Sequence, residues 1–119
     1  MIIVASTNGK VGIQAALRVL KSGGSALDAV EVGIQLVEAN LADHSVGVGG
    51  YPNLIGQVEL DAAIMNGRDL TSGAVGALRG FAHPISVARK VMDTLPHVFL
   101  VGAGAERFAA EAGFERGEL

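Results

Sequence analysis

The sequence predicts a mixed helix-and-strand fold of one domain at most. Three observations carry that expectation. The 119 residues fit a single domain. Apolar residues recur at helical spacing in residues 11–41 and again in 84–95. Short runs at 1–5, 58–65, 72–78 and 97–101 alternate or stay apolar, as strands do. The core is expected to be thin, because the chain has no Trp, one Tyr and 4% aromatic residues.

Composition excludes several functional classes. Nine Lys and Arg stand against twelve Asp and Glu, a net charge of −3, which is the wrong sign for a nucleic-acid partner. The absence of cysteine removes disulfides, zinc ribbons and thiol catalysis. No apolar run approaches the roughly 18 residues of a membrane span. Met1 leads into Ile2, Ile3 and Val4 with no basic segment, so no signal peptide is expected and the chain is placed in the cytoplasm.

In chain order, residues 1–5 read as a short buried strand and 6–10 as a polar loop turning at Asn8 and Gly9. Val11, Ile13, Ala16, Leu17 and Leu20 form one helical face, and Gly23 and Gly24 end that helix. Ser25 opens the next helix with Asp28 three residues on, close to a capping box. Leu27, Val30, Ile34, Val37 and Leu41 continue its apolar face. Residues 46–53 are too rich in glycine for a helix. Residues 58–65 alternate as a strand, with Glu59 and Asp61 on the face opposite Leu60, Ala62 and Ile64. Asn66 and Gly67 turn the chain into a second strand at 72–78, expected to pair with the first. Pro84 suits the first turn of a helix buried through Ile85, Ala88, Val91, Met92 and Leu95, and Pro96 stops it. Residues 97–101 read as a buried strand, and Gly102 to Gly104 as the turn into a helix over about 105–112, closed by Gly113.

Few residues suggest chemistry on their own. His44, His83 and His97 lack metal-ligand spacing and read as structural, so no metal is expected. Gly102 and Gly104 follow a strand and precede a helix, the setting of a dinucleotide loop, but Arg107 stands where the third glycine belongs. Glu59 and Asp61 share a face, as acid–base pairs and ordinary solvated residues both do. Gly47, Gly49 and Gly50 crowd a five-residue stretch, which points to positive φ or to a backbone that another group approaches closely. A turn, a carbonyl-bound ion and a substrate-facing loop all remain open readings of that stretch.

Six stretches together resemble one family. Residues 22–31 (SGGSALDAVE) look like the second-helix entry of the plant-type asparaginases, and 43–53 (DHSVGVGGYPN) resemble the loop of their glycosylasparaginase branch. Residues 59–65, 73–75, 83–89 and 96–102 follow in the family's order. The likeness runs from about Ile2 to Phe114.

The resemblance implies an N-terminal nucleophile hydrolase with an α+β, four-layer αββα sandwich. Such a precursor cuts itself into α and β subunits, and the new N-terminal threonine of β attacks a side-chain amide. This chain resembles the α part alone, over residues 1–119. The motif around the nucleophile is absent, so the chain by itself is expected to be inert, without cofactor, and partnered by a β subunit in an (αβ)₂ heterotetramer. Ser45 matches a serine beside the nucleophile and is implied as a supporting catalytic residue. Gly47, Gly49 and Gly50 are implied as the active-site wall. Thr7 falls close to the position of a substrate-proximal tryptophan, and the missing Trp argues for a small β-aspartyl amide over a glycosylated one. Asp61 is expected to be structural, anchoring a turn region through hydrogen bonds. Two alternatives accompany this reading: a small nucleotide-binding module using Gly102 and Gly104, and a non-catalytic truncated remnant.

Overall fold

In the computed structural model, which describes residues 1–119, helix α1 spans Ile13–Lys21 and ends at Gly23, whose φ of 89° glycine adopts without strain. Helix α2 follows as Ala26–Glu38. Its start is the expected capping box: Ser25 Oγ accepts the Asp28 N–H at 3.0 Å, and Asp28 Oδ2 accepts the Ser25 N–H at 3.4 Å. Such a cap stabilises a helix by about 1 kcal/mol. The apolar face stops short of its expected end, because the chain leaves the helix at Ala39 and Leu41 is exposed.

Strand β1 (Leu60–Met65) pairs antiparallel with β2 (Ser72–Leu78), joined through the turn that starts at Asn66. The register breaks between Leu60 and Ala62, and Ala77 sits at φ 49° opposite the break. Asp61 accounts for that bulge: its Oδ1 accepts the Ala77 N–H across the strands at 2.8 Å. The anchoring expected of Asp61 is therefore exerted on a strand bulge rather than on a turn.

Helix α3 (Pro84–Thr94) carries Pro84 in its first turn and buries Ile85, Ala88 and Val91. It packs on both β1 and β2, and α2 packs on α3. Strand β3 (Phe99–Val101) runs parallel to β2, giving the order β1-β2-β3. Helix α4 (Gly102–Glu111) follows directly and closes at Gly113, φ 92°. The core lies where β2, α3 and α4 meet, and includes Val75, Leu78, Phe81, Ile85, Val91 and Ala109. No helix is long and apolar enough to cross a membrane.

Three expectations are corrected. Residues 1–5 form no strand: no strand of this chain lies beside them, and Met1, Ile2 and Val4 are 80%, 88% and 85% exposed. The strand at 97–101 shrinks to three residues on the sheet edge, where Leu100 packs toward the core and Phe99 and Val101, on the opposite face, stay exposed. Gly102 and Gly104 form the first turn of α4, leaving no loop between strand and helix to cradle a phosphate.

Candidate functional site

The glycine stretch folds as a tight loop stitched by its own polar groups. Asp43 Oδ1 accepts the Ser45 N–H at 2.8 Å and the Ser45 Oγ–H at 2.6 Å. Those two bonds hold the Asp43 carboxyl well below the usual carboxylate range. His44 donates its Nδ1–H to the Gly49 carbonyl at 2.8 Å and tilts over Tyr51, ring centres 5.3 Å apart. The Gly50 N–H reaches the Gly47 carbonyl at 2.9 Å, and the Tyr51 N–H the His44 carbonyl at 3.0 Å.

Gly47 explains why glycine is required. It sits at φ 74°, and a β-carbon there would overlap the main chain of Glu38 at the end of α2. Gly49 presses against the carbonyls of Leu41 and Asp43, and Gly50 against that of Gly47. Positive φ and close backbone approach, the two conditions the glycine density points to, both occur at Gly47.

A second segment meets this loop. Ser6 Oγ donates to Asn8 Oδ1 at 2.6 Å, and the Asn8 amide stands beside the Asp43 carboxylate and helps lower its pKa. Asp43 Oδ2 is enclosed there without a well-formed hydrogen bond. Ser6, Asn8 and Val46 line one part of an open groove of about 390 Å³, and apolar side chains of α1 and α2, such as Ile13, Val30 and Ile34, line the rest. Thr7 is exposed at the rim of this segment, beginning the short 3-10 turn Thr7–Val11. Sequence reasoning singled out Ser45 and Thr7 but missed Asn8. The Ser6 and Asn8 polar pair beside a turn glycine was the available signal.

The arrangement limits the chemistry. Ser45 donates its proton to Asp43, and no histidine reaches it. His44 is engaged by Gly49, and His83 Nδ1 lies 3.2 Å from Glu38 Oε1. Asp43, its carboxyl held below the usual range, accepts this hydrogen bond but is a weak base, so Ser45 has the setting of a supporting hydroxyl rather than a nucleophile. No group of three or more His, Asp or Glu side chains converges as a metal site.

Two ties behind the loop fix α2 to α3. Arg89 reaches Asp28 and Glu31, both at 2.7 Å, and its guanidinium holds the Asp28 carboxyl below its ordinary value. Glu38, 1% exposed, accepts the Ile85 N–H at 2.9 Å through Oε2 and meets His83 through Oε1. Burial pushes its carboxyl up to about 8, and the Ile85 bond opposes that rise. A glutamate closing the apolar α2 was the sequence signal for this residue.

Comparison with known proteins places the chain. A family model described as asparaginase matches residues 6–119. An isoaspartyl peptidase/L-asparaginase of Rattus norvegicus is 50% identical over 95 residues, covering 80% of this chain and 28% of that protein. An N(4)-(β-N-acetylglucosaminyl)-L-asparaginase of Elizabethkingia miricola is 49% identical over 104 residues, 87% of this chain and 30% of its own length. A plant-type L-asparaginase of Thermococcus kodakarensis is 51% identical over 92 residues, 77% and 30% of the two chains. The chain thus spans about three-tenths of the length of these curated relatives. With the match running from Ser6 through the groove, the glycine loop and α4, this chain belongs to the asparaginase family.

Proposed function

We propose that this chain is the α portion of an autoprocessed amidohydrolase acting on the side-chain amide of asparagine derivatives. The observation that carries the reading is the groove: the Ser45 loop and Asn8 stand at one part of it, and beside it Met1, Ile2 and Val4 are left uncovered. A β portion would cover that surface, completing the four-layer αββα sandwich and forming an (αβ)₂ assembly. The nucleophile would be the N-terminal threonine of that portion. Its free α-amine, with a pKa near ~8, serves as the base for its own hydroxyl. Thr7, Thr71 and Thr94 are internal and lack such an amine.

Ser45, held by Asp43, then supports the nucleophile or the scissile peptide, and Thr7 stands close to a substrate-proximal position. Gly47, Gly49 and Gly50 form the wall beneath. The missing tryptophan favours a small β-aspartyl amide, free asparagine or an isoaspartyl peptide, over a glycosylated one. The assembly works in the cytoplasm, in keeping with a chain that carries no cysteine.

The test is Ser45→Ala in a full-length precursor that carries both portions. Loss of one hydrogen bond to the reacting groups should slow self-cleavage or amide hydrolysis about three- to tenfold. Unchanged rates for both would leave Ser45 a loop residue only. A β portion that shows no amidase activity with this chain would sink the reading itself.

A further inference from the structure

We propose that Glu38 is the positioning residue for the Ser45 loop, clamping the end of α2 to the start of α3 so that the surface under Gly47 is fixed. Its link to catalysis rests on the amidohydrolase reading above; its mechanical role does not.

Three contacts meet at this one residue. Its Oε2 accepts the N–H of Ile85 in the first turn of α3 at 2.9 Å, a donor that no helical carbonyl could satisfy. Its Oε1 shares a proton with His83 Nδ1 at 3.2 Å. Its own main chain is the floor against which Gly47 lies, so closely that a β-carbon would overlap it. The side chain is buried, at 1% exposure. A shift in the Glu38 backbone must therefore move Gly47, and with it the turn that carries Ser45.

The charged groups around the carboxyl are few. His83 faces it from the residue before α3, and Glu31 acts on it from α2, itself tied to Arg89 of α3. The glycine loop meets Glu38 through Gly47, which has no side chain to ionise. In the protonated form, Oε1–H donates to His83 Nδ1 while Oε2 accepts from Ile85. A glutamine reproduces that pattern, its amide N–H donating to His83 and its oxygen accepting from Ile85. An alanine makes neither bond and strands the Ile85 N–H.

The experiment compares Glu38→Gln and Glu38→Ala in the assembled two-portion protein, by amide hydrogen exchange and by kinetics. Glu38→Ala should speed exchange at Gly50 and Tyr51 about tenfold. It should lower kcat about tenfold with KM within about threefold, because the loop supports reacting groups more than ground-state binding. Glu38→Gln should restore both. Loop exchange at the wild-type rate in Glu38→Ala, with protection lost only at Ile85, would reduce Glu38 to a helix cap and overturn the proposal. Should Glu38→Ala fail to fold, Glu38→Asp replaces it: a carboxyl one methylene shorter cannot hold Ile85 from the same backbone, and unchanged loop exchange there would overturn the proposal equally. A loop that responds as expected in a wild-type assembly without amidase activity would support the clamp and overturn the hydrolase reading.

Discussion

The sheet side of α3 and the surface around residues 1–5 use the same kinds of side chain and leave them in opposite states. Leu78, Ile85, Ala88 and Val91 are at most 1% exposed, enclosed by β2, α3 and α4. Met1, Ile2 and Val4 are at least 80% exposed beside an open groove. The first region is complete within this chain, and burial of each large side chain there stabilises the fold by about 1.5–3 kcal/mol. The second exposes apolar area that no element of this chain covers. The difference teaches that apolar sequence marks a surface for burial without saying which chain does the burying.

That contrast can be broken from either side. The largest effect should come from the closed region: Leu78→Ala should cost about 2–5 kcal/mol in chemical denaturation, since transfer and cavity terms add at a site with no exposure. Gly73→Ala should follow at about 1–3 kcal/mol, because its new methyl would overlap the main chain of α3 at Ala88 and Met92. A loss below about 0.5 kcal/mol for either would show that this core is looser than its packing.

The joint between the two regions should respond to pH. Glu38 has its folded-state pKa raised from 4.5 to about 8, so it binds a proton more tightly folded than unfolded. Its contribution is fully present below about pH 4.5 and is lost as pH rises through about 8. Melting temperature should therefore fall by about 10 °C or more across that window. Glu38→Gln should flatten the fall, and a slope that persists in it would assign the dependence elsewhere.

The open surface should behave differently. Ile2→Ser with Val4→Ser should change the stability of the chain by less than about 0.5 kcal/mol, while weakening association with a β portion about tenfold. A large loss of stability in the chain alone would mean that residues 1–5 pack where the structure leaves them exposed. The smallest effect is expected at the exposed Arg107–Glu111 pair, 3.0 Å apart on α4, where Arg107→Ala should cost only about 0.3–0.5 kcal/mol.

Local chemistry made much of the fold legible. Ser25 and Asp28 announce the α2 cap, Pro84 the start of α3, and the alternation through Leu60, Ala62 and Ile64 the strand β1. The glycine stretch was legible as a place of close approach, and the floor it approaches, the Glu38 main chain, was not. Residues 1–5 and 97–101 were misread for one physical reason. Hydrophobicity and β-propensity describe a willingness to be buried in a sheet, and the number of neighbouring strands is a property of the assembly.

The sequence by itself determined the helix caps, the β1–β2 pairing, the tight loop at Gly47 to Gly50 and the family, because each rests on residue type and spacing along the chain. Only the tertiary structure decided that Asp61 pins a bulge, that Asn8 meets Asp43, and that Glu38 joins α2, α3 and the glycine loop. Those contacts link positions 16, 35 and 47 residues apart. Sequence spacing carries no signal for such pairs until packing brings them within reach of a hydrogen bond.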